Sequence, residues 1–203
     1  MIATMTTSRE NKTISQFKSA LVGGGARPNL FEVELTTFPA AAANADWDPN
    51  NFRFMCKAAQ LPASTIANID VPFRGRIFKV AGDRTVDTWT VTVINDENFA
   101  VRNAFEEWME GIAKLDNNLG ATDPSAYMAN ATVYQLGRGS TSSSQDNGGE
   151  SNAVLKEYVF EDIFPTEVSS IDLSYDSSDT IEEFTVTFQV QTFSVTGAGG
   201  PNP

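Results

Sequence analysis

The sequence predicts a mainly β fold: an antiparallel β-sandwich or partial barrel with one flanking α-helix. Three observations point there. Trp89, Val91 and Val93 alternate with Thr88, Thr90 and Thr92, and Phe184, Val186, Phe188 and Val190 alternate with Thr185, Thr187 and Gln189. A period of two marks a pleated strand with one apolar and one polar face. Only one window, Glu97 to Leu115, carries a sustained 3.6-residue period, with Val101, Phe105, Trp108, Ile112 and Leu115 forming a single stripe. Turn-forming clusters separate about seven or eight β segments, the pattern of a sandwich or barrel rather than of alternating β and α units.

Taken in order, residues 1–26 are polar, carry Ile14, Phe17 and Leu21 at helical spacing, and end in Gly23-Gly24-Gly25. Three glycines make a flexible joint, so this region reads as an arm. The β domain spans residues 27–196. Its first strand covers Leu30 to Thr36, with Phe31, Val33 and Leu35 on one face. Pro39 to Asn51 reads as a loop. Phe52 to Gln60 reads as a second strand, with Phe52, Phe54 and Cys56 on one face, stopped by Leu61-Pro62. Ser64 to Pro72 and Gly75 to Val80 form a hairpin-like excursion, rich in β-branched residues and basic at Arg74, Arg76 and Lys79.

Arg76 to Phe99 then reads as a strand, a Gly82-Asp83 turn, the alternating strand from Asp87, and the start of the helix, capped by Asn95 or Asp96. Ala129 to Leu136 is a further strand. Residues 137–152 are Gly-, Ser- and Asn-rich with almost nothing that can pack, so a mobile loop insertion is expected. Strands resume at Val154 to Phe160, Glu167 to Tyr175 and Ile181 to Ser194, with Asp176 to Asp179 as a hairpin turn. The Gly-Pro tail, 197–203, is expected to fray.

Composition narrows the function classes. The 203 residues include 26 acidic and 14 basic side chains, no histidine, and a formal charge of −12. That balance argues against a DNA-gripping protein, which needs clustered Lys and Arg to replace phosphate counterions. No apolar run approaches the ~20 residues that span a bilayer, so no membrane insertion is expected. The N-terminus has no apolar core of a secretory signal, and Cys56 is the only cysteine, which fits synthesis and assembly in a cytoplasm.

The candidate chemistry is thin. Asp172, Ser174, Asp176, Asp179 and Glu183 are spaced like a calcium loop, but Ser177 stands where the turn needs Gly and the flanks read as strands. An acidic hairpin turn is the better reading. Glu106-Glu107 and Glu182-Glu183 are adjacent residues whose side chains diverge, so neither makes a facing acid pair. Cys56 has no histidine to activate it and reads as core. The expectation is therefore no enzyme, no cofactor and no metal.

A longer pattern is more specific. Arg27-Pro28-Asn29-Leu30-Phe31-x-Val33-Glu34, then Phe54-x-Cys56-Lys57-Ala58-x-x-Leu61-Pro62-Ala63, then Ala81-Gly82-Asp83-Arg84-Thr85-x-Asp87-x-Trp89-Thr90-Val91-Thr92-Val93-x-Asn95-Asp96-Glu97 resemble the tail tube proteins of T-even-type contractile-tailed bacteriophages. Phe164-Pro165-Thr166 and Phe184-x-Val186-Thr187 fit the same pattern. The resemblance covers roughly residues 27 to 194, leaving out the arm, the Ala-rich loop and the loop near 140.

The resemblance implies a structural virion protein. Such proteins are related to the ring protein of type VI secretion and form hexameric rings that stack into a tube within a sheath. Strands of six subunits complete one ring barrel, and DNA passes through the lumen. The implied partners are further copies of the chain, the tail sheath protein, baseplate, tape-measure and tail terminator proteins, with DNA not specifically bound. An acidic lumen would keep DNA from sticking as it moves.

On this reading Asp87, Thr88, Thr90, Thr92 and Asp172 are the candidates to face the lumen. Leu61, Pro62, Ile66, Ile69, Val71, Phe73, Arg74 and Arg76 are the candidates for contact between rings, because the excursion's apolar residues have no obvious partner within the subunit. The alternative from another class is a soluble acidic β-sandwich binding module, taking carbohydrate through Trp47, Tyr127 or Tyr134.

Overall fold

The fold, seen in a computed structural model, is described for residues 13–21, 25–42, 47–140 and 152–197. The described residues form nine strands: β1 Phe31–Leu35, β2 Cys56–Ala59, β3 Ser64–Phe73, β4 Arg76–Val86, β5 Trp89–Ile94, β6 Ala129–Ser140, β7 Asn152–Val168, β8 Glu183–Gln189 and β9 Thr192–Gly197. Helices α1 Ile14–Ala20, α2 Pro49–Met55, α3 Ala100–Ile112 and α4 Pro124–Tyr127 accompany them. All strand pairs are antiparallel.

The strands run in the order β1-β6-β7-β8-β5-β2, with β9 also on β7. β7 is the pivot. Its first part pairs with β6 on one side and with β9 on the other, and its last part pairs with β8. The path therefore folds into two sheets sharing one strand, a sandwich that is also a partial barrel. In the first sheet Val33, Leu35, Ala131, Val133 and Phe160 point inward; in the second Trp89, Val91, Val93, Phe184, Val186 and Phe188 do. The alternation read from the sequence is thus the core face.

The stripe of α3 closes one side of this core. Val101, Ala104, Phe105 and Trp108 are fully buried, and Glu106, Glu107 and Glu110 lie exposed off the stripe. Phe105 meets Phe188 edge-on at 5.8 Å between ring centres, Trp108 lies 6.0 Å from the same ring, and Trp89 stacks on Phe160 at 4.5 Å. These offset and edge-to-face geometries suit the ring quadrupoles. Each buried indole finds an acceptor: Trp89 Nε1 donates to the Gln60 carbonyl (2.9 Å) and Trp108 Nε1 to that of Tyr127 (2.7 Å).

Several sequence expectations are corrected. Phe52 to Met55 is helical, the end of α2, and the strand begins only at Cys56. Asp48 accepts from the Asn50 N–H (2.9 Å) and Pro49 occupies the first turn, a helix start that outweighs the alternation. Phe52 is buried on the helix and Phe54 points to solvent. Gly82-Asp83 is no turn: β4 runs through it, and the ladder slips there, between the pairs Ile66–Arg84 and Asn68–Ala81. The turn lies at Arg74-Gly75.

Helix α3 is shorter than its pattern. Phe99, not Asn95 or Asp96, takes the cap position, with no side-chain cap, and Leu115 lies beyond the end and is exposed. Asn95 is drawn off to Glu182, whose backbone and side-chain oxygens accept from it at 2.9 Å. Glu167 to Tyr175 is strand only to Val168; residues 169–182 form a loop in which Leu173 and Tyr175 are exposed. Nothing apolar is offered to them, so the pattern has no second side to pack. Ile181 to Ser194 splits at Val190-Gln191 into β8 and β9, which pair with different parts of β7.

The expected loop 137–152 is strand over Gly137 to Ser140, and its residues 141–151 lie outside the described residues. So do residues 1–12 and 22–24 of the expected arm and 198–203 of the tail. Within the loop expected from Pro39 to Asn51, Ala40–Ala42 form a 3-10 turn against α3.

Two tests follow from this packing. A Cβ on Gly111 of α3 would sit far inside contact distance of the Ala41 carbonyl oxygen. Gly→Ala inside a helix normally stabilises by up to ~1 kcal/mol. Here Gly111→Ala is expected to destabilise by about 1–3 kcal/mol in urea unfolding, as overpacking does; a variant more stable than the parent would refute the close contact. Burial pushes the Cys56 thiol from 9.0 up to about 12. A thiol reagent at pH 8 should therefore leave the folded chain unlabelled and react in full only on denaturation.

Candidate assembly surfaces

No described group of three or more His, Cys, Asp or Glu side chains is arranged to hold a metal. The notable surfaces are instead broad ones, and the hairpin β3–β4 is the first. Its two strands pair with each other and with no other described strand, and every residue from Thr65 to Ala81 is exposed. Arg74 and Gly75, with φ of 46° and 80°, make the two-residue turn that matches the twist of the strands.

The register gives the hairpin two distinct faces. Ile69 sits opposite Val80, Val71 opposite Phe78 and Phe73 opposite Arg76. These residues share one side, so the ribbon carries an apolar face in which Phe73 and Phe78 are each 66% exposed. The other side carries Ile66, the Asp70–Lys79 ion pair (3.0 Å) and the Pro72–Ile77 pair. Arg74 lies over the Phe73 ring at 5.4 Å.

Of the residues named for contact between rings, Ile69, Val71, Phe73 and Arg76 share the apolar face. Ile66 lies on the other face, Arg74 is in the turn, and Leu61 and Pro62 precede β3. Phe78 and Val80 were missed, although a two-residue turn after Phe73 places them across from Val71 and Ile69 by counting alone.

The outer face of the second sheet is a threonine array. Thr90 pairs with Thr187 and Thr92 with Thr185, all half-buried, and Glu167 extends the row beyond Thr187. At one end Lys57 is ion-paired with Glu183. Thr185 and Thr187 were not singled out from the sequence, but they occupy the polar phase of the alternating β8. Asp87 and Thr88 are exposed in the short link before β5, with the Asp87 N–H bonded to the Ala63 carbonyl (3.0 Å). Asp172 is exposed in the loop 169–182, which enters β8 beside the far end of β5. Asp87 and Asp172 therefore lie at opposite ends of that strand.

The outer face of the first sheet is acidic. Glu32 faces Tyr134 across the ladder, Glu34 faces Thr132, and Tyr134 faces Glu157. The Tyr134 hydroxyl donates to Glu34 (3.4 Å), and burial, then the Glu34 and Glu157 charges, raise its pKa. Arg53 is ion-paired with Glu32, which raises the guanidinium's pKa further. β1 and β2 end the strand path and β9 pairs only with β7, so each keeps an edge without a strand partner among the described residues.

No carbohydrate platform forms from the three aromatics proposed for one. Trp47 is half-buried against the core, stacked on Phe38 at 4.5 Å, and Tyr127 meets Phe164 edge-on at 5.8 Å. Tyr134 stands on the acidic sheet face.

Residues 26–196 match the family described as phage tail tube protein. The chain is 37% identical over 165 residues to the tail tube protein gp19 of Enterobacteria phage T4, covering 81% of this chain and 88% of that one. It is 25% identical over 175 residues to a tail tube protein of Serratia phage KSP90, covering 85% and 91%. Among solved structures, a chain of an extracellular contractile injection system, the PVC sheath–tube complex in its extended state, shares the fold with a TM-score of 0.54 at 14% identity, over 92% of this chain and 99% of that one. A chain of the anti-feeding prophage cap does so with a TM-score of 0.56 at 16% identity, over 86% and 92%. With a match that spans the whole β body and relatives this similar over most of their length, the chain belongs to the phage tail tube protein family.

Proposed function

We propose that this chain forms rings of six that stack into the inner tube of a contractile phage tail, with the β3–β4 hairpin as the contact between rings. The hairpin's exposed apolar face carries this reading. A lone two-stranded hairpin is marginal in water, and an exposed row of Ile, Val and Phe is a liability in a monomer. Both difficulties vanish if the ribbon lies against the next ring. The unpartnered edges of β1, β2 and β9 support ring closure by strand pairing, which turns an aggregation hazard into a specific head-to-tail contact. A ring-to-ring contact that repeats without closure gives a filament.

The threonine array, Thr90 and Thr92 with Thr185 and Thr187, lines the lumen in this proposal, with Asp87 and Thr88 at one end of it and Asp172 at the other. A wall of hydroxyls within an acidic subunit offers phosphates no counter-charge, so DNA slides rather than binds. The outer partners are the sheath, baseplate, tape-measure and terminator proteins. Tubes are found with sheath and terminator in the related injection systems. The assembly takes place in the host cytoplasm and its product is the virion tail. A second reading has a specific observation behind it: the acidic face of Glu34, Tyr134 and Glu157 would repel DNA more strongly, and would line the lumen in place of the threonines.

Two experiments test these assignments. Phe78→Glu with Val71→Glu leaves the core untouched and should give rings without tubes by negative-stain microscopy. Tubes of parental length would remove the hairpin from the stacking contact. A cryo-electron reconstruction of purified tubes should show Thr90 and Thr187 facing the axis; Glu34 and Glu157 there instead would overturn the threonine assignment.

A further inference from the structure

Among the described residues, nothing covers the apolar side of helix α1. Its start is fixed locally: the Gln16 N–H donates to Thr13 Oγ1 (3.3 Å) and the Thr13 N–H to Gln16 Oε1 (3.0 Å), a reciprocal capping box. Ile14, Phe17 and Leu21 stand on one side at spacings of three and four, and they are 75%, 64% and 46% exposed. No residue of α1 is buried. A seven-residue helix is marginal on its own, so its apolar side calls for a surface to rest on.

A groove of about 590 Å³ lies on the solvent side of α3, within the size range of sites that accept side chains. Its floor is apolar, built from Met109 and Ile112 with Pro165 and Val168 of β7, and the exposed Leu115 also lines it. Its rim carries Glu106, Glu107 and Glu110. Arg102 neutralises only Glu106 (2.8 Å), and Glu110 accepts from the Leu115 N–H (3.0 Å). The rim is therefore left negative.

The arm has the opposite sign. In a chain of net charge −12, residues 1–21 hold Arg9, Lys12 and Lys18 against a single acid, Glu10. Residues 22–30, including three successive glycines, separate α1 from β1. Residues 27–30 are held on β6, where Gln135 Nε2 donates to the Arg27 (2.9 Å) and Leu30 (2.7 Å) carbonyls, so residues 22–26 make the span, about 17 Å at roughly 3.4 Å per residue. We propose that α1 of one copy docks its Ile14–Phe17–Leu21 side into the α3 groove of a neighbouring copy, with Lys18 towards the glutamate rim. Each subunit thereby clasps the next. The inference rests on the ring-forming reading above, which supplies the neighbour at high local concentration.

Covalent trapping tests it. Phe17→Cys and Met109→Cys are introduced together and tubes are oxidised after assembly. Cys56 is buried and does not compete. The expected result is a ladder of disulfide-linked dimers and higher oligomers on non-reducing gels. Phe17→Cys paired with Cys at the exposed Phe54 should give none. Only monomers, or a bond mapped by peptide mass spectrometry within one chain, would overturn the proposal.

Lys18→Glu should cut the cross-linking yield by about two- to fivefold, the range of an exposed ion pair, and Glu107→Lys in the same chain should restore it. Absence of that rescue would refute the charge pairing. If the unmodified chain makes no rings or tubes, the assembly reading itself fails; if tubes form but do not cross-link, only the arm docking does.

Discussion

The fold depends on the bend in β7. This one strand belongs to both sheets, and the change of partner happens within a few residues. It pairs with β9 up to Glu161 and with β6 as far as Ile163; from Phe164 it pairs with β8. At the corner Asp162 takes a positive φ of 54°, and its N–H is held by Asn130 Oδ1 at 3.1 Å. A non-glycine residue in that region carries a conformational cost that the surrounding structure must offset. The bulge also breaks the period of two. Phe160 and Ile163 are both buried, with Glu161 and Asp162 both outside. Without that phase change one half of β7 would turn its apolar side to water.

From the bend follows the aromatic core. Phe160, before the corner, stacks on Trp89 of the second sheet, so the two sheets meet through rings contributed from either side of the fold. Phe188 sits between Trp89 and the α3 pair Phe105 and Trp108. α3 is in turn held close to the 3-10 turn by Gly111. The body thus holds one buried aromatic cluster, and its buried indole donors are satisfied. The segments that leave it, α1, the β3–β4 hairpin and the middle of the loop 169–182, carry exposed apolar residues. The body is closed and these segments are open, and it is on the open segments that the proposed assembly contacts are placed.

Much of the core was legible because alternation and helical stripe report directly on which side of an element is dry. Val33 and Leu35, Trp89 to Val93, Phe184 to Val190 and the stripe through Trp108 all fall where their period puts them. The errors share a cause. At Phe52 to Cys56 the offsets of a short helix and of a strand overlap, and the capping Asp48-Pro49 decided between them. At Gly82-Asp83 a turn-forming pair lies in a strand because the partner strand slips register beside it. At Leu173 and Tyr175 a plausible pattern met no surface to pack on. Of the candidate assembly residues, Thr90 and Thr92 were visible from their phase. Their partners Thr185 and Thr187, and the pairing of Phe78 with Val71, needed the register.

The sequence by itself determined the fold class, the faces of the main strands and helix, the acidic character and, through its long central motif, the family. Only the tertiary structure decided which apolar rows are satisfied. Ile69, Val71 and Phe73 alternate much as Trp89, Val91 and Val93 do. The second row is buried under α3 and the opposing sheet, while the first stands in solvent. A local period states that one side of a strand avoids water. What covers that side is set by contacts distant in sequence or in another copy of the chain, and no local pattern encodes them.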